Sequence, residues 1–133
     1  MKKTILIADD NPTLRKCYVD LLGDAGYSVI SCPDGQSALL AIHKGLNADL
    51  IITDYRMPGM NGLEFIEQLK QSVPRVPVIM CSAELRIDVY LKLVNLGVAE
   101  FMEKPFRLTE LKRVVTTALE AAPKGPYAPG LQG

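Results

Sequence analysis

Short apolar runs alternate along this chain with longer stretches in which apolar residues recur every three or four positions. The first run, Thr4 to Ala8 (TILIA), stops at Asp9 and Asp10, and Asn11-Pro12 then opens a stretch of helical spacing through Leu14, Tyr18, Leu21 and Leu22. Asn is a favoured helix N-cap and Pro a favoured first helical residue, so Asn11 is expected to do the capping and to leave both aspartates without a structural task. Gly23 to Gly26 closes that helix. Tyr27 to Ser31 reads as a second strand and Pro33-Asp34-Gly35 as a turn; Ala38, Leu39, Ala41 and Ile42 mark a second helix that ends at Gly45.

Leu50 to Thr53 forms the next run, which ends at Asp54 and is followed by Pro58, Gly59 and Gly62. An apolar run bounded by turn-formers is the signature of a strand buried on both faces. A third helix carries Leu63, Phe65, Ile66 and Leu69 and stops within Ser72 to Pro77. Val78 to Cys81 is a fourth strand, and a helix from about Leu85 to Leu96 ends at Gly97. Val98 to Met102 supplies a fifth strand before Glu103-Lys104-Pro105-Phe106, and Leu108, Leu111, Val115 and Leu119 set the seam of a last helix.

Strands and helices in strict alternation, joined by short connections, predict an α/β fold: a doubly wound, five-stranded parallel sheet with helices on both faces. Such sheets keep their ligand crevice at the carboxyl ends of the strands. Asp9, Asp10, Asp54, Ser82 and Lys104 all fall at that edge. A lone Asp at a strand end also serves as a turn or cap residue, so the order of the whole set carries more than any member. Three carboxylates in one crevice repel each other, and unless a cation joins them at least one has its pKa pushed up. Mg²⁺ suits a donor set made only of oxygen. Acids, one lysine and one hydroxyl around a cation are what transfer of a phosphoryl group to a carboxylate requires.

Length and composition narrow the classes. The 133 residues fit one domain, with 48% hydrophobic and 23% charged residues as in ordinary globular proteins. Fifteen basic residues balance fifteen acidic ones, which argues against direct binding of nucleic acid or an anionic membrane. No stretch has the length of a membrane span, and MKKTILIADD lacks the core of a signal peptide, so a cytoplasmic location is expected. Cys17, Cys32 and Cys81 have no metal or redox spacing and are expected to be reduced and mostly buried. His43, without a partner nearby in sequence, is expected on the surface. Residues 1–122 form the expected domain, and 123–133 (PKGPYAPGLQG) the expected flexible tail or linker.

Asp9-Asp10 after an apolar strand, DYRMPGMNG around Asp54, CSAE at 81–84 and FMEKPF at 101–106 together resemble the receiver domain of two-component response regulators, over about residues 3–121. That resemblance implies a flavodoxin-like (βα)5 fold with Asp54 as phosphoacceptor. It also implies Mg²⁺ held by Asp10, Asp54 and the backbone carbonyl of Arg56, with Asp9 assisting through water. Lys104 would pair with the phosphoryl group, Ser82 would hydrogen-bond it, Phe101 would be the aromatic switch, and the Lys104-Pro105 peptide bond would be cis. The implied donor is the phosphohistidine of a sensor histidine kinase or phosphotransfer protein. The implied output is a changed surface of fourth helix, fifth strand and fifth helix, offered to a dimer partner or effector. A switch rather than an enzyme is therefore expected.

Several residues add expectations of their own. Arg56, Ala83 and Glu84 should rim the site, and Arg56 and Glu84 have the charges to pair across its mouth. In the fourth helix Ile87, Leu91 and Val94 suffice for a core-facing stripe, yet Val89, Tyr90 and Leu93 are apolar too, which suggests a partner surface. Arg107 stands where a capping side chain is more usual. The alternative of another class is an Mg²⁺-dependent phosphatase or phosphotransferase working through an aspartyl-phosphate on small substrates. Such dehalogenase-like enzymes use Asp-x-Asp and a cap domain, whereas this chain has adjacent aspartates and no cap. A flavodoxin-like cofactor binder would need a Ser/Thr/Gly-rich loop where this chain has DDNPTLR.

Overall fold

The apolar runs form β1 (Thr4–Ala8), β2 (Ser28–Cys32), β3 (Leu50–Asp54), β4 (Val78–Ser82) and β5 (Glu100–Glu103). They alternate with α1 (Pro12–Asp24), α2 (Gly35–His43), α3 (Gly62–Ser72), α4 (Ile87–Asn95) and α5 (Leu108–Glu120). The computed structural model describes residues 2–121, so the expected tail at 123–133 lies outside the described residues. All strands are parallel in the order β2-β1-β3-β4-β5. The order reverses between β1 and β3. Connections from those two strands leave for opposite faces of the sheet and open a crevice at their carboxyl ends.

Strand residues alternate between two cores. Leu6, Ile51, Val78 and Met80 meet Leu39, Phe65, Ile66 and Leu93 of α2, α3 and α4. Ile5, Ile7, Leu50, Ile52 and Ile79 meet Tyr18, Leu22, Leu111 and Val115 of α1 and α5. Leu50, Ile51 and Ile52 are wholly buried or nearly so, each contributing about 1.5–3 kcal/mol relative to exposure. Asp54 is thereby carried at the end of a strand whose preceding four residues are all buried.

The helix ends follow side-chain chemistry. Asn11 caps α1, its Oδ1 accepting from Leu14 N–H at 3.1 Å. Asn61 and Glu64 form a reciprocal capping box on α3. Asp34, expected in a turn, is the N-cap of α2. Arg107 caps α5 without a side-chain bond, in keeping with its odd position.

Some boundaries and faces differ from expectation. β2 begins at Ser28 because the Tyr27 N–H is held by the Leu22 carbonyl where the chain leaves α1. That helix passes through Gly23 and ends ahead of Gly26, whose φ of +100° needs a glycine. α4 begins at Ile87 rather than Leu85, since Ser82 and Glu84 close a local turn. β5 begins late because Gly97 and Val98 bond back to Val94 and Leu93 to terminate α4.

The face of α4 is the largest correction. Ile87, Leu91 and Val94 are exposed, by 71%, 52% and 44%, while Leu93 is fully buried and Val89 packs on the core. Both stripes have helical spacing, so periodicity could not choose between them; the connections that orient the helix did. On α5, Leu108 is likewise exposed, and Val114 and Ala118 share the seam with Leu111 and Val115. Cys17 is exposed on α1, whereas Cys32 and Cys81 are buried.

Candidate functional site

The end of β1 brings Asp9 into the crevice fully buried and held at several points. Its N–H donates to the Cys32 carbonyl at 3.1 Å, and its Oδ1 accepts from Asn11 N–H at 2.9 Å. Asp9 thus has a structural task after all, because a carboxylate buried there must have its oxygens satisfied. Asp10, next in the chain, is exposed.

Asp54, at the end of β3, is half-buried. Oδ1 accepts from its neighbour Tyr55 N–H at 2.7 Å and Oδ2 from Lys104 Nζ at 2.9 Å. Gly62 presses against this turn. A Cβ there would stand 2.6 Å from the Asp54 carbonyl oxygen and 2.8 Å from Tyr55 Cα, so only glycine fits. Thr53 Oγ1 donates to the same Asp54 carbonyl at 2.9 Å.

Lys104 follows β5, and its peptide bond to Pro105 is cis. Its N–H donates to the Ser82 carbonyl at 2.8 Å, which ties the loop to the end of β4. Nζ also reaches Asp9 Oδ2 at 3.0 Å. Burial works against the lysine's charge, but its hydrogen bonds to Asp54 and Asp9 outweigh that, and its pKa lies above the ordinary lysine value.

One carboxylate oxygen from each of Asp9, Asp10 and Asp54 lies within 4.8 Å of the others. An octahedral Mg²⁺ sets neighbouring ligand oxygens about 3 Å apart and opposite ones about 4.2 Å apart, so an all-oxygen set of this spread is consistent with a shared ion. One ammonium against three carboxylates leaves negative charge in excess, which a divalent cation would compensate.

Ser82 is buried at the end of β4. Its Oγ donates to the Glu84 carbonyl at 3.0 Å and accepts from Glu84 N–H at 3.3 Å, so the hydroxyl is engaged by its own loop. Ala83, Glu84 and Arg56 are exposed around the crevice. No ion pair among the described residues joins Arg56 to Glu84, against the expectation that they close the mouth.

Phe101 on β5 is partly buried beside a cavity of about 330 Å³ lined also by Ser82, Leu85 and Tyr90. The rings of Tyr90 and Phe101 lie 4.7 Å apart and tilted by 45°. Tyr90, one of the apolar residues beyond a single stripe of α4, owes its place against Phe101 to the orientation of that helix. Tyr18, on the apolar stripe of α1, is a core residue whose hydroxyl is buried without a hydrogen-bond partner among the described residues. Burial, then the neighbouring Cys81, Asp9 and Asp54, hold that phenol far above its ordinary pKa. Burial likewise pushes the Cys81 thiol up to about 12, with the charge of Lys104 working against it. Both groups therefore stay neutral beneath the acids.

The pattern of the family described as response regulator receiver domain matches residues 5–116. The chemotaxis protein CheY of Pseudomonas aeruginosa is 34% identical over 119 residues, which cover 87% of this chain and 95% of that protein. The DNA-binding transcriptional regulator NtrC of Azospirillum brasilense is 35% identical over 118 residues, covering 89% of this chain and 24% of that one. Among solved structures, the Vibrio cholerae chemotaxis protein CheY4 superposes with a TM-score of 0.82 at 28% identity, covering 89% of this chain and 99% of that one.

Proposed function

The chain belongs to the response regulator receiver domain family, and we propose that it is a phosphorylation switch in which Asp54 accepts a phosphoryl group from a phosphohistidine. The donor is a sensor histidine kinase or a phosphotransfer protein. The observation that carries this reading is the shared lysine: Nζ of Lys104 binds Asp54 and Asp9 at once, at the sheet edge where Asp10 also converges.

In the transfer, an Asp54 carboxylate oxygen attacks phosphorus in line, the new P–O bond forms as the P–N bond to the donor imidazole breaks, and the imidazole keeps the electron pair. Lys104 is placed to follow the negative charge from the carboxylate onto the phosphoryl oxygens. Mg²⁺, held by Asp10, Asp54 and the Arg56 carbonyl with Asp9 assisting through water, would supply further neutralisation of those oxygens when bound.

The adduct adds up to about two negative charges and three acceptor oxygens. Ser82 can then exchange its bond to the Glu84 carbonyl for one to the phosphoryl group. The β4–α4 turn loses that tie, and Phe101 can leave Tyr90 and turn into the adjoining cavity. This biases two states of the surface formed by α4, β5 and α5. Ile87, Leu91 and Val94 give that surface an apolar stripe suited to a second copy or an effector. We propose a switch and not an enzyme acting on small substrates, working in the cytoplasm beside its kinase. No helix among the described residues is long and apolar enough to cross a membrane.

The test is transfer from a radiolabelled histidine kinase domain in Mg²⁺. Label should move to the wild-type chain, and fail to move in excess chelator or to D54N. Equal labelling of D54N would overturn the assignment.

A further inference from the structure

Arg15 has no part in the switch described so far. It lies within the first turn and a half of α1, half-buried, and its Nη1 donates a 2.7 Å hydrogen bond to the backbone carbonyl of Asp9. That carbonyl belongs to the peptide unit joining Asp9 to Asp10. The unit is planar and stiff, so the direction of its C=O sets the direction in which the Asp10 Cα leaves. The other bonds to Asp9 come from the Cys32 carbonyl, Asn11 N–H and Lys104, and they fix its own N–H and carboxylate. None of them holds this carbonyl. Asp10 is exposed, and no hydrogen bond among the described residues holds its carboxylate, so its placement depends on the backbone that delivers it.

We propose that Arg15 is a positioning residue for the cation site: by pinning the Asp9 carbonyl it sets the plane of the Asp9–Asp10 peptide and presents the Asp10 carboxylate to the oxygens of Asp9 and Asp54. This rests on the reading that the acidic cluster holds Mg²⁺. The local sequence makes the contact feasible. Asn11 caps the helix and Pro12 starts it, so residue 15 falls in the first turn of α1 and its long side chain reaches back to the carbonyl of Asp9, the residue that follows β1.

A second role for Arg15, as a positive charge near the acids, predicts the opposite behaviour. A guanidinium close to the site repels a divalent cation, so loss of charge alone would tighten Mg²⁺ binding. Loss of positioning weakens it. The sign of the change identifies the role.

The experiment is a titration of wild type, R15Q and R15K with MgCl2, followed by amide NMR at Asp9, Asp10 and Asp54. R15Q should bind Mg²⁺ about tenfold more weakly, the lower end of what partners behind the metal ligands contribute, because Arg15 acts through the backbone. R15K, which keeps the charge and one donor but loses the planar fork, should fall between. In metal-free R15Q the Asp10 amide should gain mobility while Ile52 in β3 does not, a readout that general destabilisation would not produce. Equal or tighter Mg²⁺ binding by R15Q, with an unchanged Asp10 amide, would overturn the proposal. If R15Q fails to fold, R15K carries the test: weaker binding supports positioning and wild-type binding overturns it. If the wild type itself shows no Mg²⁺-dependent shifts, the cation reading fails and the role of Arg15 with it. Binding by wild type and undiminished binding by R15Q removes the role of Arg15 alone.

Discussion

Lys104 Nζ stands 2.9 Å from Asp54 Oδ2 across fifty residues of chain, and 3.0 Å from Asp9 Oδ2. One ammonium therefore ties the ends of β1, β3 and β5 together. The pKa of Lys104 is raised, so the stability from these pairs is fully present below the ordinary lysine value of 10.5 and is lost as pH rises through the higher folded value. At neutral pH, K104M leaves two carboxylates without their partner and should cost about 1–3 kcal/mol in urea unfolding with chelator present. Mg²⁺ then takes over part of the compensation and should stabilise K104M more than wild type. Equal stabilisation of both proteins would show that lysine and cation do not share these acids.

Leu93 and Leu91 separate core from surface on α4. L93A removes a fully buried side chain and should cost about 2–5 kcal/mol, whereas L91E on the exposed stripe should stay within about 0.5 kcal/mol of wild type. Urea midpoints of the two variants decide it. A large loss in L91E with little in L93A would invert the helix face described above.

Gly62 limits how the Asp54 turn can pack. In G62A the new methyl meets the Asp54 carbonyl and Met80 Cε, at 2.6 Å and 2.9 Å, so a loss of about 1–3 kcal/mol and slower phosphorylation are expected. G23A serves as the control. Gly23 lies within α1 with nothing near its missing Cβ, and alanine there should stabilise by about 0.5–1 kcal/mol. Thermal melts of both variants, with a phosphorylation time course for G62A, check the contrast.

Asp34 carries a pH signature. The Ser37 N–H, 2.7 Å from its Oδ1, and then the Ser37 hydroxyl hold its pKa below the ordinary 3.8. Its stabilisation of α2 is therefore present above pH 3.8 and lost as pH falls through the lower folded value. D34A should cost about 0.5–2 kcal/mol at neutral pH. D34N, which retains the cap without the titration, should lose less stability than wild type between pH 4 and pH 2. Parallel acid titration curves for D34N and wild type would contradict this.

Much of this was legible from spacing. Four of the five apolar runs lead into Asp9-Asp10, Asp54, Ser82 and Lys104, which was enough to place the acids and the lysine at one edge, because all strands of a parallel sheet end on the same side. What escaped depends on contacts that periodicity does not encode. Either apolar stripe of α4 could have faced the core, and the helix is held in its observed orientation between the Ser82–Glu84 turn and the Gly97 cap with Leu93 in the core. That choice also decides that Tyr90 meets Phe101. Arg15 reads as an ordinary helix surface residue until the Asp9 carbonyl is seen beneath it. The Arg56–Glu84 pair was plausible by charge alone, and two exposed side chains gain too little from pairing for charge to dictate it.

The central claim is that Asp54, alone among the clustered acids, takes the phosphoryl group. The direct measurement is intact and peptide mass spectrometry after incubation with a small acyl phosphate and Mg²⁺, at mildly acidic pH where acyl phosphates persist. A single base-labile phosphoryl adduct within the peptide containing Asp54, missing from D54N and retained in D10N at saturating Mg²⁺, is expected. An adduct that persists in D54N, or that maps to Asp9 or Asp10 in the wild type, would contradict it.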